Sequence, residues 1–316
     1  MRKTLFFVAL AMTLATANAV PAQEYPQRAV DYYIGFEPGG ESDRAARFQI
    51  PYFKKHAGQD LIVQYKPGAG GATLWSQLNN FAGDGYTLAG TISPHIILQP
   101  MNGGAYQTED IVTVYFFHST ASCLYVKADS PFKTLADAVA AAKAAPGSLV
   151  AAGTGVYTGH HIAQVQFSEL AGIETNYVPY AGTPSATQAM LSGEAQLNWS
   201  DNTLELYIDG QLRPLACAAE ERHPLFPNTP TFKEQGYDFV FGPYRGVGVP
   251  KSTPEELRQR ISDIFAQINH DPNAIKEQEA MGLFIQNIPY DQVDEFLTSE
   301  RTRIDALVEK LAASRQ

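Results

Sequence analysis

Long apolar runs are scarce in this 316-residue chain. The one clear example, Leu5–Leu14, is too short to cross a bilayer, which takes roughly 20 apolar residues. Basic side chains are also in deficit: 23 Lys and Arg stand against 33 Asp and Glu, for a formal net charge of −10. That balance excludes nucleic acid and anionic membrane surfaces as partners, because both demand a positive field. An anionic ligand would therefore need a local positive site. Only two cysteines occur, Cys123 and Cys217. They form a disulfide if the compartment oxidises thiols, or else sit as small buried thiols in the strands SCLYV and PLACA. No G-x-S-x-G is present, and neither cysteine has a recognisable base nearby. No Asp, Glu or Cys stands at metal-ligand spacing beside His160-His161, and adjacent helical residues point about 100° apart. The catalytic and metal assignments are therefore none, and no cofactor is expected.

The first 22 residues read as an address rather than as structure. Arg2 and Lys3 precede the apolar Leu5–Leu14, and Ala17-Asn18-Ala19 and Val20-Pro21-Ala22 are both small-x-small cleavage patterns. The leader is expected to be removed near Ala19 or Ala22, leaving an exported, periplasmic protein. No cysteine near either cut supports a lipid anchor. The remainder is long enough for two domains of roughly 100–200 residues each.

Strand, glycine-rich corner and helix then alternate along the chain. Val30–Gly35 runs into PGGESD, Leu61–Tyr65 into KPGAGGAT, and Tyr86–Gly90 into Ile92-Ser93-Pro94-His95. Ser148–Ala152 runs into GTGVYTGHH, Thr175–Val178 into PYAGTPSA, and Ala195–Trp199 into SDNTLE. The alternation predicts an α/β protein with parallel sheets and helices on their faces. It breaks at strands 111–118 and 122–127, which follow one another without a helix, and again at the extended run Val240–Val249. Two breaks suggest two crossings between two α/β lobes. A helical C-terminal region follows Ser252–Glu256, and its last helix, 290–313, carries an apolar stripe suited to packing on the first lobe.

The first backbone amides of a helix have no internal partner and carry about half a positive charge, so each corner is a potential anion site. One such corner proves little, since tight turns need glycine anyway. Recurrence is more telling, because ligands of open α/β sheets bind beyond the carboxyl ends of the strands. GTGVYTG has one residue too many for the dinucleotide fingerprint. Asp43 suits a helix cap or a loop-fixing role, and His160 suits a helix-start hydrogen bond or a pocket-facing donor to an anion. Arg245, in the apolar stretch GPYRGVG, is either half of a buried ion pair near a crossing or a fork for a ligand carboxylate. Trp75, Trp199, Tyr180 and Tyr244 are either core or an aromatic-tolerant far end of the site.

These corners together resemble the periplasmic solute receptors of tripartite tricarboxylate transporters, the Bug receptor family. The resemblance lies in Tyr25-Pro26, Phe36, Pro38-Gly39-Gly40, Ser42-Asp43 and Ala46-Arg47, then in Pro67–Gly71 and Asp84–Leu88. It continues through SPFKTLADAVAAAKAAPGSL, VPYAGTPSA, LSGEAQL and ERHPLFPNTPTFKEQGYD, so that it covers nearly all of the chain after the leader. It implies a type II periplasmic-binding-protein fold, with two α/β lobes and a ligand cleft between them. Residues 23–121 and 248–316 would form lobe 1, and 122–247 lobe 2. It also implies a small organic acid as ligand, integral membrane permease subunits as partners and a monomeric, non-catalytic receptor. By position, the ligand-binding residues would be Phe36, Gly39, Gly40, Ser42 and Asp43, then Ser93 and Pro94. Gly153, Thr154, Gly155, Thr158 and His160 would follow, with Tyr180, Gly182, Thr183, Ser200, Asp201, Asn202, Tyr244 and Arg245. Glu41 replaces a residue that is usually Gly, which adds a negative charge beside the clamp and works against simple dicarboxylate affinity. A receptor docking a signalling partner is the alternative, and an enzyme on the same scaffold is a more distant one.

Overall fold

The computed structural model describes residues 25–101, 103–201 and 209–313. The leader and Asn202 lie outside them. Three short strands, β1 (Val30–Ile34), β2 (Leu61–Tyr65) and β3 (Thr87–Ser93), run parallel and start one sheet. β1 alternates buried and half-buried residues, with Val30, Tyr32 and Ile34 turned inward. The intervening α1 (Glu41–Ala57) buries Ala46 and Phe53 and stops at Gly58, whose left-handed φ of 73° lets its amide cap Lys54 O. A short α2 (Ala72–Trp75) and α3 (His95–Met101) flank β3. β4 (Val112–Ser119), together with the later β10 (Tyr244–Val249) and β11 (Phe284–Pro289), completes a six-stranded sheet ordered β11-β4-β10-β3-β1-β2.

The second sheet holds β5 (Cys123–Lys127), β6 (Val150–Thr154), β7 (Asn176–Tyr180), β8 (Leu197–Ser200) and β9 (Leu212–Cys217), ordered β7-β6-β8-β5-β9. Its helices are α4 (Leu135–Ala144), α5 (Gly159–Ala171) and α6 (Thr183–Ser192). Thr134 caps α4 in a capping box with Asp137. After β10 come α7 (Glu255–Asn269), α8 (Pro272–Ala280) and α9 (Tyr290–Ala313). Phe296 of α9 packs on Phe116 of β4 at 4.9 Å, and the helix also reaches α5 of the second lobe. α9 therefore spans both halves, whereas its apolar stripe predicted packing on the first alone.

The two crossing segments are bonded to each other. Thr120 N–H donates to Pro243 O at 3.1 Å, and Ser122 N–H donates to Phe241 O at 3.0 Å. The second crossing thus ends at Pro243, not at 247. Tyr244–Val247 belong to β10, paired between β3 and β4 in the first sheet. The unbroken run Val240–Val249 gave no local sign of that boundary. Beside the crossings, Cys123 and Cys217 face each other across β5 and β9 and are joined by a disulfide.

Candidate ligand-binding site

The corner after β1 turns on Gly39, at φ +78°, and delivers α1 with Gly40 as a cap that makes no side-chain hydrogen bond. Across the cleft, α6 starts from Gly182, which also makes no side-chain cap, with Pro184 in its first turn. A Cβ added at Gly40 would lie 3.5 Å from Pro184 Cδ and 3.9 Å from Thr183 N. Two helix N-termini therefore face one another with no side chain consuming their first amides. α5 differs: Thr158 caps it and bonds back to Thr154 O, so that corner satisfies itself.

Between these ends lies a cluster of buried charge. Arg245 Nε donates to Glu41 Oε1 at 2.8 Å, its Nη2 reaches Glu41 Oε2 at 2.6 Å, and its Nη1 donates to Ser42 Oγ at 2.8 Å. Both oxygens of Glu41 accept from the fork, the arrangement of an ionised carboxylate. Thr120 Oγ1 adds a bond to Oε1 at 3.1 Å. From the second lobe, Asp201 accepts from Ser122 Oγ at 2.7 Å, lies 3.1 Å from His160 Nε2 and 3.9 Å from Arg245 Nη2. His160 Nδ1 accepts the Thr154 amide at 3.2 Å, which leaves the ring proton on Nε2, facing Asp201.

Burial shifts the titration of these groups. It raises Glu41, with the Arg245 charge opposing and Asp201 adding to the rise. Burial would raise Asp201 too, but His160, Arg245 and Ser122 together hold it well below the usual carboxylate range. His95 is pushed well below 6.5, first by burial and then by the charge of Arg245. It stays a neutral imidazole, 4% exposed, whose Nδ1 has no hydrogen-bond partner.

The cavity among these groups is about 20 Å³ and is lined by eight of the twenty sequence candidates: Phe36, Gly40, Ser42, Thr154, His160, Thr183, Asp201 and Arg245. Glu41, Ile92 and His95 complete the lining. The room suits about one water, so the cleft is closed. Ser185 Oγ donates to Glu37 Oε2 at 2.9 Å across its mouth. Gln99 Nε2 donates to Val156 O and Tyr157 O, and Gly70 abuts Gly155, so the PGAGG corner is a lobe-to-lobe contact.

Other candidates stand elsewhere. Asp43 accepts from the Gly39 amide, Arg47 and Tyr65, which makes it the brace that holds the first corner. Gly153 is pressed against Tyr177 and His160, Gly182 against Glu37, and the Tyr180 carbonyl accepts the Gly155 amide. Pro94 opens α3 through its carbonyl, and Ser200 pairs with Cys123 in the second sheet. Ser93 and Tyr244 turn to the opposite side: Ser93 donates to Glu300, and Tyr244 packs on Phe296. Tyr244 and Glu300 line a separate cavity of about 710 Å³ behind the crossing segments, whose wall includes Thr120. Trp75 and Trp199 are core residues, their indole N–H groups bonded to Gly90 O and Gln164 Oε1.

The Ser122–Asp201–His160 chain places the acid between the hydroxyl and the imidazole. A hydrolytic triad needs the imidazole in the middle, so that it takes the proton of the hydroxyl. This order suits positioning rather than nucleophilic attack.

Residues 46–313 match the tripartite tricarboxylate transporter family receptor. The chain belongs to this family. It is 30% identical to the UPF0065 protein in the gbd 5′ region of Cupriavidus necator, over 100% of this chain and 99% of that one. Among solved structures, a Rhodopseudomonas palustris protein with adipate aligns at TM-score 0.86, with 22% identity, over 91% of this chain and 98% of the other. The malate-bound MatC of Rhodopseudomonas palustris aligns at TM-score 0.83, with 22% identity, over 90% and 100%. The receptor has the type II periplasmic-binding fold. Among its described residues, no helix is long and apolar enough to cross a membrane.

Proposed function

We propose that this chain is a periplasmic solute receptor that captures a small organic carboxylate between its lobes and delivers it to membrane subunits of a tripartite tricarboxylate-type transporter. The observation that carries this reading is the pair of facing N-termini, α1 at Gly40 and α6 at Gly182, neither capped by a side chain and both beside the buried Arg245. Such ends stabilise a carboxylate through amide donors and the helix dipole, without requiring a net positive protein. Adipate and malate in the two aligned structures support the same ligand chemistry. The disulfide beside the crossings supports an oxidising compartment such as the periplasm.

Capture requires the lobes to part, since the closed cleft has no room for an organic acid. Opening moves Asp201 and Thr183 away from Glu41 and Gly40, and closure on the ligand returns them. A thermal-shift screen of the purified protein against small organic acids tests the reading. At least one carboxylate should raise the melting temperature in a concentration-dependent way. Response to a sugar or nucleotide with no response to any carboxylate would contradict it.

A further inference from the structure

Arg245, the cation at the centre of the site, is already spent. Its three nitrogens are engaged by Glu41 and Ser42, with Asp201 next in range. The buried cluster therefore holds two carboxylates against one guanidinium; of the two imidazoles that line it, burial keeps His95 neutral, and His160 accepts the Thr154 amide on Nδ1. A dicarboxylate would bring two more negative charges into a closed space with room for about one water. The facing helix ends offer about half a charge each, which suits one carboxylate and not two. A second carboxylate would sit unpaired beside Glu41 and Asp201, at a large desolvation cost.

The unused capacity of the site is for a cation. Glu41 and Asp201 converge from opposite lobes, and His95, a buried imidazole whose Nδ1 has no hydrogen-bond partner, lines the same cavity. Two carboxylates and a neutral imidazole nitrogen are acceptors, and an ammonium group has three donors.

We infer that the ligand is an amino carboxylate, its carboxylate on the Gly40 and Thr183 helix ends and its ammonium on Glu41, Asp201 and His95. Glu41 is the residue that selects it. The inference rests on the receptor reading above and names the ligand class.

The test uses matched pairs of equal backbone length: succinate against 4-aminobutyrate, malonate against β-alanine, and lactate against alanine, titrated calorimetrically into the purified protein. In at least one pair the amino acid should bind about tenfold or more tighter than its partner, and Glu41→Gln should erase or reverse that ratio. Should Glu41→Gln fail to fold, the wild-type ratios still decide. Equal or tighter binding of the acid that lacks the amine overturns the ligand class and leaves the receptor reading standing. An unchanged ratio in a folded Glu41→Gln protein overturns the role of Glu41. Failure of every acid and amino acid to bind overturns both readings.

Discussion

Arg245 carries a full charge in a buried site, and its partners Glu41 and Ser42 both come from the first turn of α1. Removing one member of such a pair strands the other. Arg245→Met should therefore lose about 3–5 kcal/mol of stability in urea unfolding. The double variant Arg245→Met/Glu41→Gln should recover part of that loss, and equal losses in the two would contradict the pairing. His118 is a second buried titrating group. Neither ring nitrogen makes a well-formed hydrogen bond, and burial, then the Arg245 charge, push its pKa from 6.5 to about 3. The unfolded chain binds this proton near 6.5 and the folded chain only near 3. Stability is thus intact above 6.5 and falls as the pH drops through that window. The melting temperature should fall on acidification from about pH 7 to about pH 4, and His118→Leu should flatten that slope. An unchanged slope would show that His118 is not the group responsible.

Elements set how the halves meet. Gly70, at φ +63°, sits so close to the second lobe that a Cβ would lie 2.9 Å from Thr158 Cγ2 and 3.2 Å from Val156 O. Gly70→Ala should hinder closure: ligand affinity should fall by about tenfold, and small-angle scattering should show a larger radius with ligand present. Wild-type affinity would mean that the glycine contact is not needed for closure. The disulfide closes a loop spanning 94 residues and pins the strands that leave the crossings. Cys123→Ala/Cys217→Ala should cost about 2–5 kcal/mol, read as a lower melting temperature. At this scale much was legible. Glycine corners, caps and short apolar strands are local signals, and they marked β1 to β8 and the corners between them. What local signals missed was where the chain changes sheets, since Phe241–Pro243 and Tyr244–Val249 share one extended pattern. The pairing of Glu41 with Arg245 was hidden for the same reason, because its members lie on α1 and β10, 204 residues apart. The rearward placement of Tyr244 follows from strand alternation once Arg245 is known to face the cleft.

For the whole molecule, two acidic lobes close on a site with one guanidinium and two helix ends, so ligand charge is decided locally while the net charge of −10 works against anions at long range. His95 completes that site and was passed over in the sequence because it follows a strand end with nothing but Ser93-Pro94 to mark it. The cavity behind the crossings was likewise invisible, since its walls come from loops near residues 119–121, 218–224 and 240–242. These two spaces give rival locations for the ligand. The most direct measurement is a crystal structure of the protein with the tightest-binding carboxylate found by titration. The carboxylate should lie between the Gly40 and Thr183 helix ends, in a cleft widened beyond about 20 Å³. Ligand density in the rear cavity of about 710 Å³, with the cleft still shut, would contradict it.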